Sequence, residues 1–203
     1  MKKILVGLMI VLLSACTLGA ATTPKQKVAE LLDKYKNQDK SILTQLDETI
    51  NTEYSNDDYR NRYRTLMTNQ YKNMEYKLKD EVIEGDNAVV EAEITVYDYA
   101  SAIRNSNEYL NNNPNEFMAS NPTVDMEDSE DETTKDENTN QNDGLLSNYD
   151  QDKFIDYKLT QMENVNDTVT YTIEFTLTKV DGVWKIDNLS NADIEKIHGI
   201  FMQ

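Results

Sequence analysis

Residues 169–178 alternate strictly between apolar and polar side chains, and this pattern constrains the fold more than any other feature of the chain. Successive side chains of a β-strand point to opposite faces, so the alternation predicts a strand with one buried face. The apolar set is Val169, Tyr171, Ile173, Phe175 and Leu177. Because such a face must be covered by a second layer, we expect helices from elsewhere in the chain to pack on it.

A hairpin is predicted directly after this strand. The Asp-Gly pair at residues 181–182 is a two-residue turn signal. This loop length pairs Val180 with Val183 and thereby fixes the register of the returning strand. The further pairs expected from it are Lys179 with Trp184 and Leu177 with Ile186. Trp184 and Ile186 are therefore expected to face the same apolar layer as Ile173 and Phe175.

An earlier hairpin is predicted around the Glu-Gly-Asp-Asn turn at residues 84–87. Tyr76, Leu78 and Val82 lie in the extended stretch before it. The strand after the turn alternates, and its apolar face consists of Ala88, Val90, Ala92, Ile94 and Val96. The two hairpins together predict an antiparallel sheet.

Three amphipathic helices are predicted before the first hairpin. Thr23 is a candidate N-cap before Pro24, Asp39 or Ser41 caps the second helix, and Ser55 caps the third. The apolar residues at helical spacing are Val28, Leu31, Leu32 and Tyr35, then Ile42, Leu43, Leu46 and Ile50, then Tyr59, Tyr63, Leu66, Met67, Tyr71 and Met74. An aromatic stripe of this kind is more typical of a helix packed on a core than of a ligand site.

A long acidic insertion is predicted between two further helices. A polar helix is expected over residues 101–113, another around residues 154–162, and a short final one over residues 191–199. Residues 114–147 lose the apolar pattern, and nine acids and one lysine lie between Asp125 and Asp143. This composition buries too little apolar surface to offset the entropy cost of ordering the backbone, so we expect the insertion to be disordered.

The acidic insertion does not have the spacing of a calcium loop. Such loops place a glycine at the sixth position and a glutamate at the twelfth. The alternating oxygen ligands Asp125, Glu127, Ser129 and Asp131 are followed by neither, and the residues of 138–144 fail the same test. With one His and one Cys in the chain, no metal site and no cofactor are expected.

The N-terminal segment is built like an export signal. Two lysines precede ten mostly apolar residues, 4–13, whereas a membrane-spanning helix needs about 20. The residues that follow, Leu13, Ser14, Ala15 and Cys16, resemble the lipobox of bacterial lipoproteins. The resemblance implies a signal peptide at residues 1–15, lipidation of Cys16, and a tether at residues 16–22. An ordinary secretory leader with an incidental cysteine is the alternative.

The net charge limits the partners of the chain. It has 20 basic and 37 acidic residues, for a formal net charge of -17. A binder of nucleic acid needs a basic face, so this class is excluded. The lipobox predicts instead that the partner is the membrane, reached through the lipid on Cys16, and that the protein lies on the extracytoplasmic face of the cell membrane.

The order of the predicted elements, with the final hairpin sequence at residues 179–187, resembles the nuclear transport factor 2-like, or cystatin-like, cone. The resemblance covers residues 23–113 and 149–190, and small lipoproteins of Gram-positive bacteria commonly carry this domain behind a lipobox. It implies an α+β fold in which N-terminal helices pack on a curved antiparallel sheet, as a single domain over residues 23–203. The acidic insertion departs from the family pattern and splits the helix expected between the hairpins.

The cone fold often has a pocket between its helices and the concave sheet face. For such a pocket we expect Tyr97, Asp98 and Tyr99, near the end of a strand, to be candidate ligand-binding residues. Glu93 falls on the polar face of the sheet, and His198 has no second His or Cys nearby, so both are predicted to be exposed surface residues. No acid–base pair matches a catalytic site, so no catalytic residue is assigned.

These observations predict a non-enzymatic, membrane-anchored surface lipoprotein that binds a small ligand or a partner protein at the cell envelope. One alternative is an enzyme that uses the cone pocket. Another is a pure interaction or spacer module whose contact surface is the acidic insertion. A pocket lined by tyrosines with a buried carboxylate would favour ligand binding or catalysis, and a cone filled by its own side chains would favour the interaction module.

Overall fold

Three helices begin the fold, and their first residues show why each helix starts where it does. The computed structural model describes residues 22–119 and 149–202. The helices are α1 (Pro24–Lys36), α2 (Lys40–Glu53) and α3 (Asp57–Asn73). Thr23 and Gln26 form a reciprocal capping box at α1, and the Asp39 side chain accepts a hydrogen bond from the Ser41 amide at α2. The predicted cap of α3, Ser55, is wrong, because the Asn56 side chain accepts the bond from the Asp58 amide.

Four strands form one antiparallel sheet in the order β1-β2-β3-β4. They are β1 (Glu75–Glu84), β2 (Asn87–Tyr97), β3 (Thr168–Val180) and β4 (Val183–Ile186). The register of β1 shifts between Leu78 and Glu81, as at a β-bulge. Both predicted hairpins are confirmed, and the α+β class with them.

The second hairpin has the predicted register. Lys179 pairs with Trp184, Leu177 with Ile186, and Val180 with Val183. Asp181 and Gly182 both have positive φ, the backbone that a two-residue hairpin turn of this kind requires. Trp184 is 8% exposed and belongs to the same core as Ile173 and Phe175. The prediction that these side chains share one apolar layer is confirmed.

The side chains on the inward face of the sheet are buried in the hydrophobic core. The buried residues of the sheet are Ala88, Val90, Ala92, Ile94 and Val96 on β2, Tyr171, Ile173, Phe175 and Leu177 on β3, and Trp184 on β4. Helix α1 contacts β1, β2 and β4, while the last helix, α6 (Asn191–His198), contacts β2 and β3. The core therefore lies between one face of the sheet and the helices.

Two helices, α4 (Tyr99–Asn112) and α5 (Gln151–Glu163), connect β2 to β3 on either side of the insertion. Helix α4 begins two residues before the predicted start at Ser101, because the Asp98 side chain caps it by accepting a hydrogen bond from the Ser101 amide at 3.0 Å. The predicted helices on either side of the insertion are confirmed.

A second, smaller cluster of aromatic rings holds α4 and α5 together. A short 3-10 turn, Pro114–Phe117, carries Phe117 into this cluster, where it is 4% exposed. The rings in contact are Tyr109, Phe117, Tyr149, Phe154 and Tyr157. The predicted start of the disordered insertion at about residue 114 is therefore wrong, because residues 114–117 form this turn and Phe117 is buried in the cluster. The rest of that prediction, residues 120–147, lies outside the described residues.

The two ends of the insertion meet. Met118 and Tyr149 form an antiparallel bridge, and the Asp150 amide donates a hydrogen bond to the Phe117 carbonyl at 2.8 Å. The Lys153 ammonium donates to the Met118 carbonyl, also at 2.8 Å. The chain consequently leaves and re-enters the described structure at neighbouring points.

Candidate functional site

A cleft of about 180 Å³ lies between α2 and α6, with side chains of α1 and α3 at its base. Its lining residues are Tyr35, Ile42, Gln45, Leu46, Thr49, Glu53, Tyr63, Tyr71, Asn191, Ile194, Glu195, His198 and Ile200. None of them comes from the sheet. The cleft is therefore formed among the helices, and not at the inward sheet face where the cone resemblance places a pocket.

One buried glutamine fixes the wall formed by α6. The Gln70 amide nitrogen donates to the carbonyls of Tyr97 and His198 at 3.0 and 2.9 Å, and its oxygen accepts from the Tyr97 amide at 2.8 Å. Gly199 ends α6 with a left-handed φ of 69°. Its carbonyl accepts a hydrogen bond from the Ala100 amide at 2.7 Å. These bonds tie the C-terminus of α6 to the junction of β2 and α4, and so they position His198.

His198 and Tyr71 form a hydrogen-bonded pair at the base of the cleft. The Tyr71 hydroxyl lies 2.8 Å from Nε2 of His198, and Tyr71 packs edge-on against Tyr35 with ring centroids 5.1 Å apart. Burial lowers the pKa of His198 to about 4 and raises the pKa of Tyr71 well above its usual value. Both groups are therefore neutral at pH 7.

The tautomer of His198 follows from the cost of leaving a buried donor unpaired. Tyr71 is 1% exposed, and its hydroxyl has His198 as its one hydrogen-bond partner among residues 22–119 and 149–202. If Nε2 carried the proton, the Tyr71 proton would have no acceptor, which is costly for a buried donor. Tyr71 is thus assigned as the donor to Nε2, and Nδ1 of His198 carries the proton. Nδ1 has no protein partner in the described structure, and His198 lines the cleft.

Two further tyrosines present unpaired hydroxyls to the cleft. Tyr35 is 2% exposed and Tyr63 is 8% exposed, and neither hydroxyl is hydrogen-bonded to any part of the chain that the structure describes. No side-chain nitrogen or oxygen sealed from solvent lacks a partner in those same ranges. The two hydroxyls are therefore open to the cleft that their residues line. Burial raises the pKa of Tyr35 to about 12 and that of Tyr63 further, so both remain protonated donors.

The rim of the cleft is acidic. Glu53 and Glu195 line the cleft, and no lysine or arginine lines it. Burial raises the pKa of the Glu53 carboxyl, and the nearby Lys158 opposes this rise. The site thus combines neutral donors at its base with carboxylate acceptors at its rim.

The predicted candidates Tyr97, Asp98 and Tyr99 lie elsewhere and have structural partners. Asp98 caps α4, and the Tyr97 backbone is bonded to Gln70. Tyr99 is buried and donates from its hydroxyl to the Leu66 carbonyl at 3.3 Å. None of the three lines the cleft. A ligand-binding role for them stays a prediction.

The prediction for His198 as an exposed surface residue is wrong, because its ring is partly buried against Tyr71. Glu93 is on the outer face of the sheet as predicted, and it forms an ion pair with Lys79 at 2.7 Å.

The lipobox residues Leu13, Ser14, Ala15 and Cys16 lie outside the described residues, as do the signal peptide and most of the tether. In the described ranges no helix has the length and apolar character needed to cross a membrane. The same ranges contain no group of three or more His, Cys, Asp or Glu side chains that could hold a metal ion. The calcium-loop candidates of residues 125–131 and 138–144 also lie outside them.

Comparison with known proteins gives no family. No family model, curated protein or solved structure matches the chain. What the fold shows is an α+β arrangement of N-terminal helices on a four-stranded antiparallel sheet.

Proposed function

We propose that this protein is a membrane-anchored surface lipoprotein that binds a small ligand in the cleft between α2 and α6 and does not catalyse a reaction. The anchor is supported by the sequence: two lysines near the start, a short apolar run, and a sequence resembling a lipobox that ends at Cys16. Two or three acyl chains hold a protein on a membrane stably, whereas one chain gives marginal binding.

The proposal that the cleft binds a ligand rests on one observation, the unpaired hydroxyls of Tyr35 and Tyr63 in the cleft. Both hydroxyls are open to the cleft and have no bond within the described protein, so a ligand can pair with them in place of solvent. The cleft therefore offers polar groups to a ligand, whereas a packing defect is lined by apolar side chains.

Binding is favoured over catalysis by the surroundings of His198. Its Nε2 is occupied by Tyr71, and its pKa of about 4 is far from the value of a general base at pH 7. No carboxylate is bonded to Nδ1 within the described structure, whereas a catalytic imidazole is usually oriented by such a group.

An interaction module is the second candidate, and the filled sheet face favours it. The inward side chains of β2 and β3 are buried in the core, and no residue of the sheet lines the cleft. In this alternative the acidic insertion contacts a partner protein at the envelope. The two candidates differ in whether the cleft is occupied.

We also propose that the domain is a divergent nuclear transport factor 2-like, or cystatin-like, cone of a Gram-positive bacterium. The order of three helices, a hairpin, a helical connection and a second hairpin supports this proposal. An experimental structure in which the sheet curves around α1 would support it further, and a flat sheet would contradict it.

Metabolic labelling with a radioactive fatty acid tests the anchor. We expect the native chain to incorporate label and the Cys16→Ser variant to incorporate none. Ser14→Ala is the matched control, since it keeps a small residue in the lipobox and should remain labelled. Label on the Cys16→Ser variant would contradict the lipid assignment.

Nuclear magnetic resonance of the full chain in detergent micelles, with labelled tyrosine rings, tests the cleft. Tyr→Phe variants assign the signals. A mixture of small neutral, cationic and anionic organic fragments is expected to shift the signals of Tyr35, Tyr63 and Tyr71. If no fragment shifts them, the binding half of the proposal fails.

A further inference from the structure

The polar groups of the cleft indicate what kind of ligand fits, and this inference rests on the proposed binding function. The hydroxyls of Tyr35 and Tyr63 can each donate and accept a hydrogen bond, and the neutral ring of His198 donates from Nδ1. The carboxylates of Glu53 and Glu195 accept only. A ligand that satisfies all of them must itself both donate and accept at several positions.

The charge of the cleft disfavours anionic ligands. Glu53 and Glu195 repel a negatively charged ligand, and although Lys158 lies near Glu53, no lysine or arginine lines the cleft to bind an anion. The formal net charge of -17 for the whole chain acts in the same direction.

A positive charge on the ligand is compatible with the cleft, because Glu53 and Glu195 attract it. The hydroxyls of Tyr35 and Tyr63 require in addition that the ligand carry several hydrogen-bonding groups.

The volume of the cleft limits the size of the ligand. At about 180 Å³ it is smaller than the roughly 300 to 1,000 Å³ of sites for drug-sized molecules. One six-membered ring with its substituents is a ligand of fitting size, and a longer chain would have to extend beyond the rim.

We propose that the cleft binds a small polyol without negative charge, of the size of one sugar ring, through the hydroxyls of Tyr35 and Tyr63, Nδ1 of His198 and the carboxylates of Glu53 and Glu195. Ligand hydroxyls donate to the carboxylates and accept from His198. They exchange either kind of bond with the tyrosine hydroxyls. The carbon-bound hydrogens of the ring pack on the apolar part of the lining, which includes Ile194.

Three probes of equal ring size test the ligand class on the full chain in detergent micelles, with the labelled tyrosine rings as readout. Methyl glucoside is the neutral polyol, glucuronate adds a carboxylate, and cyclohexanol keeps the ring but has one hydroxyl. We expect methyl glucoside to shift the signals of Tyr35 and Tyr63, and to bind at least about tenfold more tightly than glucuronate or cyclohexanol.

Removing one hydroxyl tests the site. Tyr63→Phe should weaken methyl glucoside binding about three- to tenfold, the usual effect of one lost hydrogen bond. It should leave the melting temperature unchanged, because the hydroxyl has no partner in the described protein. Tyr109→Phe is the matched control, since its hydroxyl is bonded to Glu116 outside the cleft. That variant should bind methyl glucoside like the native chain.

The outcomes separate this inference from the proposed function. If cyclohexanol or glucuronate binds as tightly as methyl glucoside, the polyol assignment is wrong and the cleft remains a binding site. An unchanged affinity of the Tyr63→Phe variant also overturns the assignment. If none of the three probes nor any fragment of the mixture shifts the cleft signals, both the inference and the binding function fail.

Discussion

Among the glycines that the structure describes, Gly199 is the one at which an added side chain would meet the closest neighbours. It ends α6 with φ of 69°, and a Cβ atom there would overlap the Tyr97 carbonyl oxygen and the Gln70 side-chain nitrogen. Gly199→Ala would therefore add backbone strain and displace the glutamine that holds α6. We expect a loss of at least about 3 kcal/mol in the free energy of unfolding, measured with denaturant.

Gly85→Ala is the matched control for this prediction. Gly85 also has a positive φ, 62°, but no atom lies within 4 Å of the position of its Cβ. The control should lose only the strain of the left-handed backbone, about 1 to 2 kcal/mol. Equal losses in the two variants would show that the contact of Gly199 with Gln70 contributes nothing.

His198 should make stability depend on pH. Its pKa is about 4 in the folded chain, below the ordinary value of 6.5, so the unfolded chain takes up a proton at higher pH than the folded one. The stability that the neutral ring contributes is complete above pH 6.5 and is lost as the pH falls toward 4. The loss amounts to about 3 kcal/mol at most.

Subtraction of a variant that cannot titrate isolates this effect from that of the carboxyl groups. The difference in unfolding free energy between the native chain and His198→Gln should fall between pH 7 and pH 4. A difference that stays constant over this range would mean that His198 is solvated like an ordinary surface histidine.

At the scale of the elements, the second hairpin was predictable because two independent signals agree. The two-residue turn sets the register, and the alternation of β3 sets the buried face, so the neighbours of Trp184 follow from the sequence. The final helix shows the opposite case. With eight residues α6 has too few apolar positions to define its buried face, and the environment of His198 could not be read from its sequence.

Trp184→Ala tests the contribution of the second hairpin. The ring is buried at the pairing position opposite Lys179, whose ammonium lies 5.5 Å from its centroid. We expect the variant to lose about 3 to 5 kcal/mol in denaturant unfolding. The neighbouring Val183 is 45% exposed, and Val183→Ala should lose less than about 0.5 kcal/mol. A loss below about 1 kcal/mol for Trp184→Ala would be inconsistent with burial.

Deletion of residues 124–142, closed with a short Gly/Ser link, should leave the fold intact. Met118 and Tyr149 already lie side by side, and the cost of closing a loop varies by only about 0.6 kcal/mol for each doubling of its length. The free energy of unfolding should change by less than about 1 kcal/mol. Phe117→Ala, which removes a ring of the cluster at the base of the insertion, should cost about 3 kcal/mol or more. A deletion as costly as this substitution would contradict the prediction.

For the whole molecule, the sequence predicted the layers but not the site. Periodicity identifies which face of each element is buried, and this was enough for the α+β arrangement. The cleft depends on how α2 and α6 are placed relative to each other, and they are far apart in the sequence. Tyr35, Tyr63 and Tyr71 were predicted to be core residues, and they are buried. That two of their hydroxyls are unpaired depends on neighbours that no local pattern specifies.

The excess of negative charge should make the folded state sensitive to salt. Raising the ionic strength from 0.01 M to 0.1 M shortens the screening length from about 30 Å to about 10 Å. Since repulsion among the acids destabilises a compact chain, the melting temperature should rise. The 124–142 deletion removes eight acids and one lysine, so its melting temperature should rise less. An equal rise in both proteins would show that the insertion does not contribute to this repulsion.

Because the two ends of the insertion lie side by side, the described structure consists of two parts, one before and one after the insertion. The part before residue 120 supplies α1 to α4 with the first hairpin, and the part after residue 148 supplies α5, α6 and the second hairpin. Non-covalent contacts join the two parts. They are the pairing of β2 with β3, the aromatic cluster, and the hydrogen bond from Gln70 to α6. Two separately made halves therefore have the complementary surfaces needed to reassemble, and a cut in the insertion would leave the native arrangement held together by these surfaces alone.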